Sequence, residues 1–226
     1  MVQMSHINNL EQLVGSLEGK KILDVGAGWG DFVLFCLEQG YDAVGLELDD
    51  DKIKKARERL SPQQMVQGKA ENLLFQDSSF DFINIGEVIE HVRDPKKVLQ
   101  ETYRVLKPGG NVYISVHNRF GLYDTHFRVF FLGWMPRSWA NFYLSLFNKH
   151  KDYIHAIDLH NIQEMHYFTF RKFCKIARSF GFEVVDIREI KINKKYSAGR
   201  LPVLFLYKIF FRPLYFSTFH ILLIKT

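Results

Sequence analysis

KILDVGAGWGDF, running from Lys21 to Phe32, decides how this chain folds. Lys21–Val25 (KILDV) reads as a short buried strand that runs straight into a glycine-rich turn. Phe32, Phe35 and Cys36 then recur at the i, i+3, i+4 spacing of a helix, with Gly40 at its C′ position. Glycines let a backbone turn tightly and approach a ligand without a Cβ in the way. A loop of this kind after a strand is shared by nicotinamide, flavin and methyl-donor enzymes. The spacing here is G-x-G-x-G, not the G-x-G-x-x-G that seats a pyrophosphate on a helix N-terminus. Asp31, in the first helical turn, would repel a phosphate and attract an ammonium group.

Working outward, DAVGLE (Asp42–Glu47) reads as the second strand, ending on a carboxylate. Asp49 or Asp50 can cap the next helix, which sets Ile53, Ala56 and Leu60 on one face and stops at Ser61-Pro62. Gln64–Gln67 is a weak third strand and FDFINI (Phe80–Ile85) a strong fourth. Asp94-Pro95 is an N-cap with proline at N1, opening a helix that turns Val98, Leu99, Tyr103 and Leu106 inward. Lys107-Pro108-Gly109-Gly110 is a turn before a fifth strand, NVYISV (Asn111–Val116). Strands alternating with helices at this spacing specify a parallel, doubly wound sheet. Beyond it, residues 118–160 are long, aromatic and basic, without strand alternation. Order returns with a helix around Phe168–Ser179 ended by Gly181, a strand at Phe182–Ile190, and a final strand at Phe216–Lys225 that can pair antiparallel beside it.

The 226 residues are enough for one α/β domain with embellishment, and 47% hydrophobic with 24% charged residues is a folded composition. A net charge of +5 fits an anionic partner such as a nucleic acid, a membrane surface or a phosphorylated substrate. Cys36 and Cys174 each fall in an apolar helical pattern and read as buried thiols, which suits a reducing cytoplasm. The opening stretch lacks the basic-then-apolar layout of a signal peptide. Leu201 to Ile224 is very apolar, but Lys208, Arg212 and Pro213 interrupt it, so we read no membrane span there.

The chain resembles class I S-adenosylmethionine-dependent methyltransferases, especially the group that includes quinone-biosynthesis enzymes. The resemblance is carried by ILDVGAGWGDF (Ile22–Phe32), VGLELD (Val44–Asp49), GKAENLLFQDSSFDFINIGEVIEHV (Gly68–Val92) and VLKPGGNVYISV (Val105–Val116), and more weakly by FRKFCKIARSFGFEVVDI (Phe170–Ile187). It implies an α/β, Rossmann-like, doubly wound seven-stranded sheet, mostly parallel with an antiparallel last strand, plus a helical aromatic insert after strand five. It implies a single domain over residues 1–226, with a cofactor-binding half (1–118), an aromatic lid (119–165) and a C-terminal helix and strands (166–226). The implied cofactor is S-adenosyl-L-methionine. Asp24, Gly26, Ala27, Gly28 and Gly30 would meet its methionine part, Glu47 its ribose, and Leu48, Ala70 and Glu71 its adenine, with Gly86 near the methyl group. Many relatives carry an acidic residue where this chain has Lys69.

Methyl transfer from a sulfonium is a direct displacement, so alignment and exclusion of water are the main tasks. A hydroxyl acceptor also needs a base, and imidazole suits that work near neutral pH. The candidate is His91 in EVIEH, just past strand four, with Glu87 and His117 as further catalytic candidates and Glu90 fixing the loop. His91 reads equally as a residue that only bonds the loop backbone. His126, His155, His160 and His166 are scattered through the insert without a compact ligand motif, so we expect no metal.

The insert segment Phe127–Phe147 (FRVFFLGWMPRSWANFYLSLF) mixes aromatic residues with Arg128 and Arg137, and Lys149 and Lys151 follow. Leu201–Leu214 (LPVLFLYKIFFRPL) is also aromatic and basic. Both fit a lid over the substrate pocket, or a lid that also touches a membrane to take a lipid-linked acceptor. Nucleic-acid binding fits worse, because the basic residues are interleaved rather than striped. The resulting expectation is methyl transfer to a hydroxyl of a small or lipid-linked acceptor, a quinone precursor or saccharide, in the cytoplasm or at the inner face of the membrane. The rival readings are an inactive methyltransferase-like binding protein, an N- or C-methyltransferase of a small metabolite, and a nicotinamide oxidoreductase.

Overall fold

The computed structural model describes residues 11–147, 162, 164–196 and 200–226. Its main sheet is built from β1 (Lys21–Val25), β2 (Asp42–Glu47), β3 (Met65–Gln67), β4 (Phe80–Ile85), β5 (Leu106–His117), β8 (Phe182–Asp186) and β9 (Thr218–Lys225). The strand order is β3-β2-β1-β4-β5-β9-β8. All pairings are parallel except those of β9, which runs antiparallel to both β5 and β8. The doubly wound seven-stranded expectation therefore holds, including the antiparallel last strand.

Continuous apolar runs explain why the sheet is buried on both faces. On one face Leu23, Val25, Ile83 and Ile85 pack with Val98 and Leu99 of α3 (Pro95–Val105) and Phe173 of α5 (Phe170–Ser179). On the other, Ile22 and Phe82 pack with Phe32, Val33 and Cys36 of α1 (Asp31–Glu38), with Ala56 of α2 (Asp50–Ala56) and with Ile187 of α6 (Ile187–Lys195). Asp49, Asp94 and Thr169 cap α2, α3 and α5 through side-chain oxygens that accept backbone N–H bonds.

Several sequence expectations need correction. The strand from Phe182 stops at Asp186, not Ile190, because the Asp186 carboxylate accepts from the amides of Arg188 and Glu189 and so starts α6. The helix expected to run to Ser61-Pro62 ends at Ala56, although Leu60 is still buried against the core. The Lys107–Gly110 turn exists, but inside β5: Phe80 pairs with Leu106 and Phe82 with Asn111, so residues 107–110 bulge out of the ladder.

The described part of the insert carries the expected helix together with short strands that the sequence did not announce. It opens with a two-stranded hairpin, β6 (Tyr123–Asp124) and β7 (Val129–Phe130), followed by a short 3-10 turn and α4 (Arg137–Leu146). It has its own small core of Phe127, Val129, Leu132, Leu144, Met165 and Tyr167. Asn118 ties it to the body by donating to the carbonyl of Phe216, and the amide of Arg119 donates to that of Phe168. His155, His160, Lys149 and Lys151 lie outside the described residues. The Leu201–Leu214 stretch forms α7 (Arg200–Leu206) and a π-helical segment, Tyr207–Tyr215, with Pro213 inside it. Among the described residues, no helix is long and apolar enough to cross a membrane.

Candidate active site

Strand order reverses between β1 and β4, and open α/β sheets bind ligands in the crevice at such a switch point, outside the carboxyl ends of the strands. A cleft of about 160 Å³ lies there, walled by Gly26 after β1, Glu47 and Leu48 at the end of β2, Ala70 and Glu71 after β3, and Glu87, Val88, His91, Val92 and Arg93 after β4. Lys69 is also in its wall.

The three loop glycines do different work. Gly26 has φ +73°, and a Cβ there would stand 2.4 Å from Val88 Cγ2, so the loop rests directly on the segment after β4. Gly28 has φ +55° with nothing within 4 Å of the place a Cβ would occupy. Gly30 instead faces the protein core, where a Cβ would lie 2.5 Å from Leu60 Cδ1. Ala27 is buried as well. Of this loop, then, Gly26 and Gly28 are the positions where a ligand can approach the backbone. Asp31, read as attractive to an ammonium, is already paired with Arg59 at 2.8 Å.

Glu47 is only 5% exposed, and its carboxylate holds the loops together. Oε2 accepts from the Gly28 amide at 2.8 Å, and Oε1 from the amides of Leu48 and Asp49 at 2.9 and 3.0 Å. A carboxylate offers about four lone-pair sites, so this one retains capacity towards the cleft. That geometry, with the open space at Gly28, fits a ribose-bearing ligand. Asp24 is buried beside Asn84, whose Nδ2 donates to it at 2.7 Å. Burial, with Glu47 adding repulsion, pushes the Asp24 carboxyl up to about 7 against the opposing Asn84 bond. Glu71 accepts from the Arg93 amide at 2.9 Å and so braces the far wall. Gly86 precedes the turn at Glu87, and Leu48 and Ala70 both line the cleft.

His91 lines the cleft, and its ring stacks on His126 at 4.8 Å. Glu87 takes a left-handed backbone, φ +56°, secured by Ser115: its amide donates to Ser115 Oγ at 2.7 Å, and that hydroxyl donates to Oε1 at 3.0 Å. Partial burial and the neighbouring Glu90 hold the Glu87 carboxyl above its usual range, against His117, Ser115 and His91. His117, the last residue of β5, is 1% exposed with Nδ1 3.1 Å from Glu90 Oε1 and 3.7 Å from Glu87 Oε2. Burial opposes a charge on His117, but Glu90, Glu87 and Asp124 outweigh it and raise the imidazole above its ordinary range. His166 contributes backbone: its amide donates to the Glu90 carbonyl.

Sequence reasoning brought Glu87, Glu90, His91 and His117 to one edge of the sheet, and the structure places them there. It missed Ser115, Asp124 and Tyr167, whose hydroxyl donates to Asp124 at 2.6 Å beneath the His117 ring. Ser115 was legible as a polar residue in an otherwise apolar strand; nothing local marks the Asp124–Tyr167 pair.

Residues 23–114 match the family model of a methyltransferase domain. Demethylmenaquinone methyltransferase of Renibacterium salmoninarum is 33% identical over 125 residues, 54% of this chain and 53% of that protein. Ubiquinone biosynthesis O-methyltransferase of Leptothrix cholodnii is 35% identical over 119 residues, covering 50% of this chain and 51% of that protein. The chain thus spans about half the length of the curated relatives it matches. In fold it is similar to an S-adenosylmethionine-dependent methyltransferase of Mesorhizobium loti, with a TM-score of 0.62, 14% identity and 96% of each chain covered. Sequence match and strand order agree on one stretch: residues 23–114 carry a methyltransferase domain, and the strand order around it is that of a Rossmann-like methyltransferase fold.

Proposed function

We propose that this chain moves the methyl group of S-adenosylmethionine to a hydroxyl oxygen of a small or lipid-linked acceptor. The observation that carries this reading is the cleft at the switch point, with the buried Glu47 on one side and a histidine-carboxylate edge on the other. The methyl donor, bound there, supplies an electrophilic carbon on sulfur. Gly26 and Gly28 admit its methionine part, Asp24 offers negative charge to its ammonium group, Glu47 accepts from the ribose hydroxyls, and Leu48, Ala70 and Glu71 flank the base. His91 takes the hydroxyl proton as the oxygen–carbon bond forms and the carbon–sulfur bond breaks, its electron pair staying on sulfur. The quinone-biosynthesis relatives support a hydroxylated ring acceptor.

The test is calorimetric titration with S-adenosylmethionine and its demethylated product, with NADH as control, repeated in the presence of vesicles. Micromolar binding of the methyl-cycle ligands and none of NADH is expected; binding of neither would sink the enzyme reading. His91→Ala should cut turnover by at least about tenfold, the low end for a lost proton-transfer group, with donor affinity unchanged. Equal turnover would leave His91 as a loop-fixing residue.

A lipid-linked acceptor is supported by two apolar surfaces. Trp139, Phe142 and Leu146 on α4 and Leu201, Phe205, Ile209 and Phe210 on the C-terminal helical segments are all more than half exposed. Insert and C-terminal segment meet at a groove of about 430 Å³ between Tyr123, Phe130, Tyr215 and Phe216. Large exposed aromatics beside basic residues favour an interface between water and lipid, and two such contacts bind far better than one. The double variant Trp139→Asp, Phe205→Asp should lower co-sedimentation with anionic vesicles by about tenfold while donor affinity in solution stays the same. Unaltered sedimentation would assign both surfaces to the soluble lid reading.

A further inference from the structure

The fold gathers four potential ligands from three separate segments of the chain. Glu87 and Glu90 come from the turn after β4, His117 from the end of β5, and His126 from the connection between β6 and β7. One ligand atom from each lies within 4.8 Å of every other. Glu90 Oε1 is 3.1 Å from His117 Nδ1 and 3.4 Å from His126 Nε2, and His117 Nδ1 is 3.7 Å from Glu87 Oε2. Ligands at about 2.0–2.1 Å around a tetrahedral ion stand roughly 3.3–3.5 Å apart, so these separations bracket what an ion needs.

Burial makes the cluster more than a group of neighbouring polar residues. Glu90 is 0% exposed, and among the described residues neither of its oxygens has a hydrogen-bond partner; nor does His117 Nδ1. A fully buried carboxylate whose Oε1 faces two imidazole nitrogens at 3.1 and 3.4 Å without well-formed hydrogen bonds is costly, and burying it against a cation removes that cost. The other nitrogen of His117 faces Thr125 Oγ1 at 3.3 Å, which orients the ring with Nδ1 turned to the cluster. An outer partner that fixes the ring in this way is the usual arrangement around a metal-bound histidine. The His117 and His126 rings stack with centroids 4.2 Å apart, a poor arrangement for two imidazolium ions.

We infer that Glu87, Glu90, His117 and His126 form a site for a divalent transition-metal ion of the zinc or manganese type. Two imidazoles with two carboxylates suit such ions, whereas magnesium and calcium favour all-oxygen shells. Glu87 also lines the cleft, which puts the ion at its acceptor end, where a Lewis acid makes an acceptor hydroxyl easier to deprotonate. That role rests on the methyl-transfer reading; occupancy of the site does not.

The test uses untagged protein stripped with a chelator, then titrated calorimetrically with zinc or manganese chloride, with magnesium chloride as the contrast. One zinc or manganese ion per chain and a raised thermal midpoint are expected, with magnesium binding far more weakly. Glu90→Gln and His126→Gln should each weaken that binding by at least about tenfold while circular dichroism and affinity for S-adenosylhomocysteine stay as in the parent. Because Glu90 is buried and its variant could misfold, the part-exposed His126 keeps the test decisive. Failure to retain either transition metal, a preference for magnesium, or tight binding unaltered in a folded His126→Gln protein would overturn the site. Loss of S-adenosylhomocysteine binding by the parent would instead count against the methyl-transfer reading alone.

Discussion

Glu47→Ala should lose donor affinity by at least about a hundredfold and destabilise the ligand-free protein by about 2–4 kcal/mol. The two effects have one origin. The Glu47 carboxylate accepts from three backbone amides that belong to two different loops, those of Gly28, Leu48 and Asp49. Hydrogen bonds to a charged acceptor contribute roughly 1.5–3 kcal/mol each, and water reaching the emptied site recovers part of that. Truncation therefore frees the glycine loop from the end of β2 before any ligand arrives. Glu47→Asp separates the roles: the shorter side chain can still bond the nearby Leu48 and Asp49 amides but falls short of Gly28 on the other loop. Urea melts and calorimetry read the pair. Lower stability with unchanged donor affinity would confine Glu47 to holding the loops and remove it from the ribose; no change in either would make the observed bonds energetically empty.

This double duty shows what was legible in the sequence and what was not. The end of β2 predicts a carboxylate at the cleft, and a local pattern of alternation and capping is enough to place it. That its oxygens face backbone amides of another loop depends on the approach of β1 to β2, which no local pattern encodes. Strand positions followed from apolar runs, and helix starts from Asp49 and Asp94, because both are short-range effects. The start of α6 was missed since VVDIREI reads equally well as a strand continuing through Ile190 or as one ended by an Asp cap; pairing of β8 with only five residues of β9 decides it. The hairpin of the insert escaped for another reason. Its strands are two residues each, too short to alternate, and depend on the insert's own core. Likewise the histidine-carboxylate cluster has no motif because it is assembled from three segments by the sheet edge.

Asp24→Asn should raise the stability of the free protein at pH 8, leave it nearly unchanged at pH 4, and weaken donor binding at pH 8. Asp24 faces Asn84 of β4, Glu47 of β2 and the Cys36 thiol of α1, and none of these supplies a positive charge. Its carboxyl is pushed from 3.8 up to about 7, so between those values the folded chain keeps a proton that the unfolded chain has released. Stability thus falls as pH rises through that window and levels off above about 7. At about 1.4 kcal/mol per pH unit the total reaches about 4 kcal/mol at most. Asparagine removes the dependence. A cationic methionine group near Asp24 favours the charged carboxylate, so donor affinity in the parent should rise with pH up to about 7 and flatten beyond. Methylthioadenosine, which lacks the ammonium, is the control and should bind independently of Asp24. Melting curves at pH 4 and 8, with titrations across the range, decide it: parallel pH profiles for parent and Asp24→Asn would mean that the carboxyl stays ionised and solvated throughout. If instead stability rises while donor affinity drops, this buried carboxyl is held at a cost to the free fold that the bound cation relieves. The same residue would then link the fold's pH dependence to the charge of its ligand.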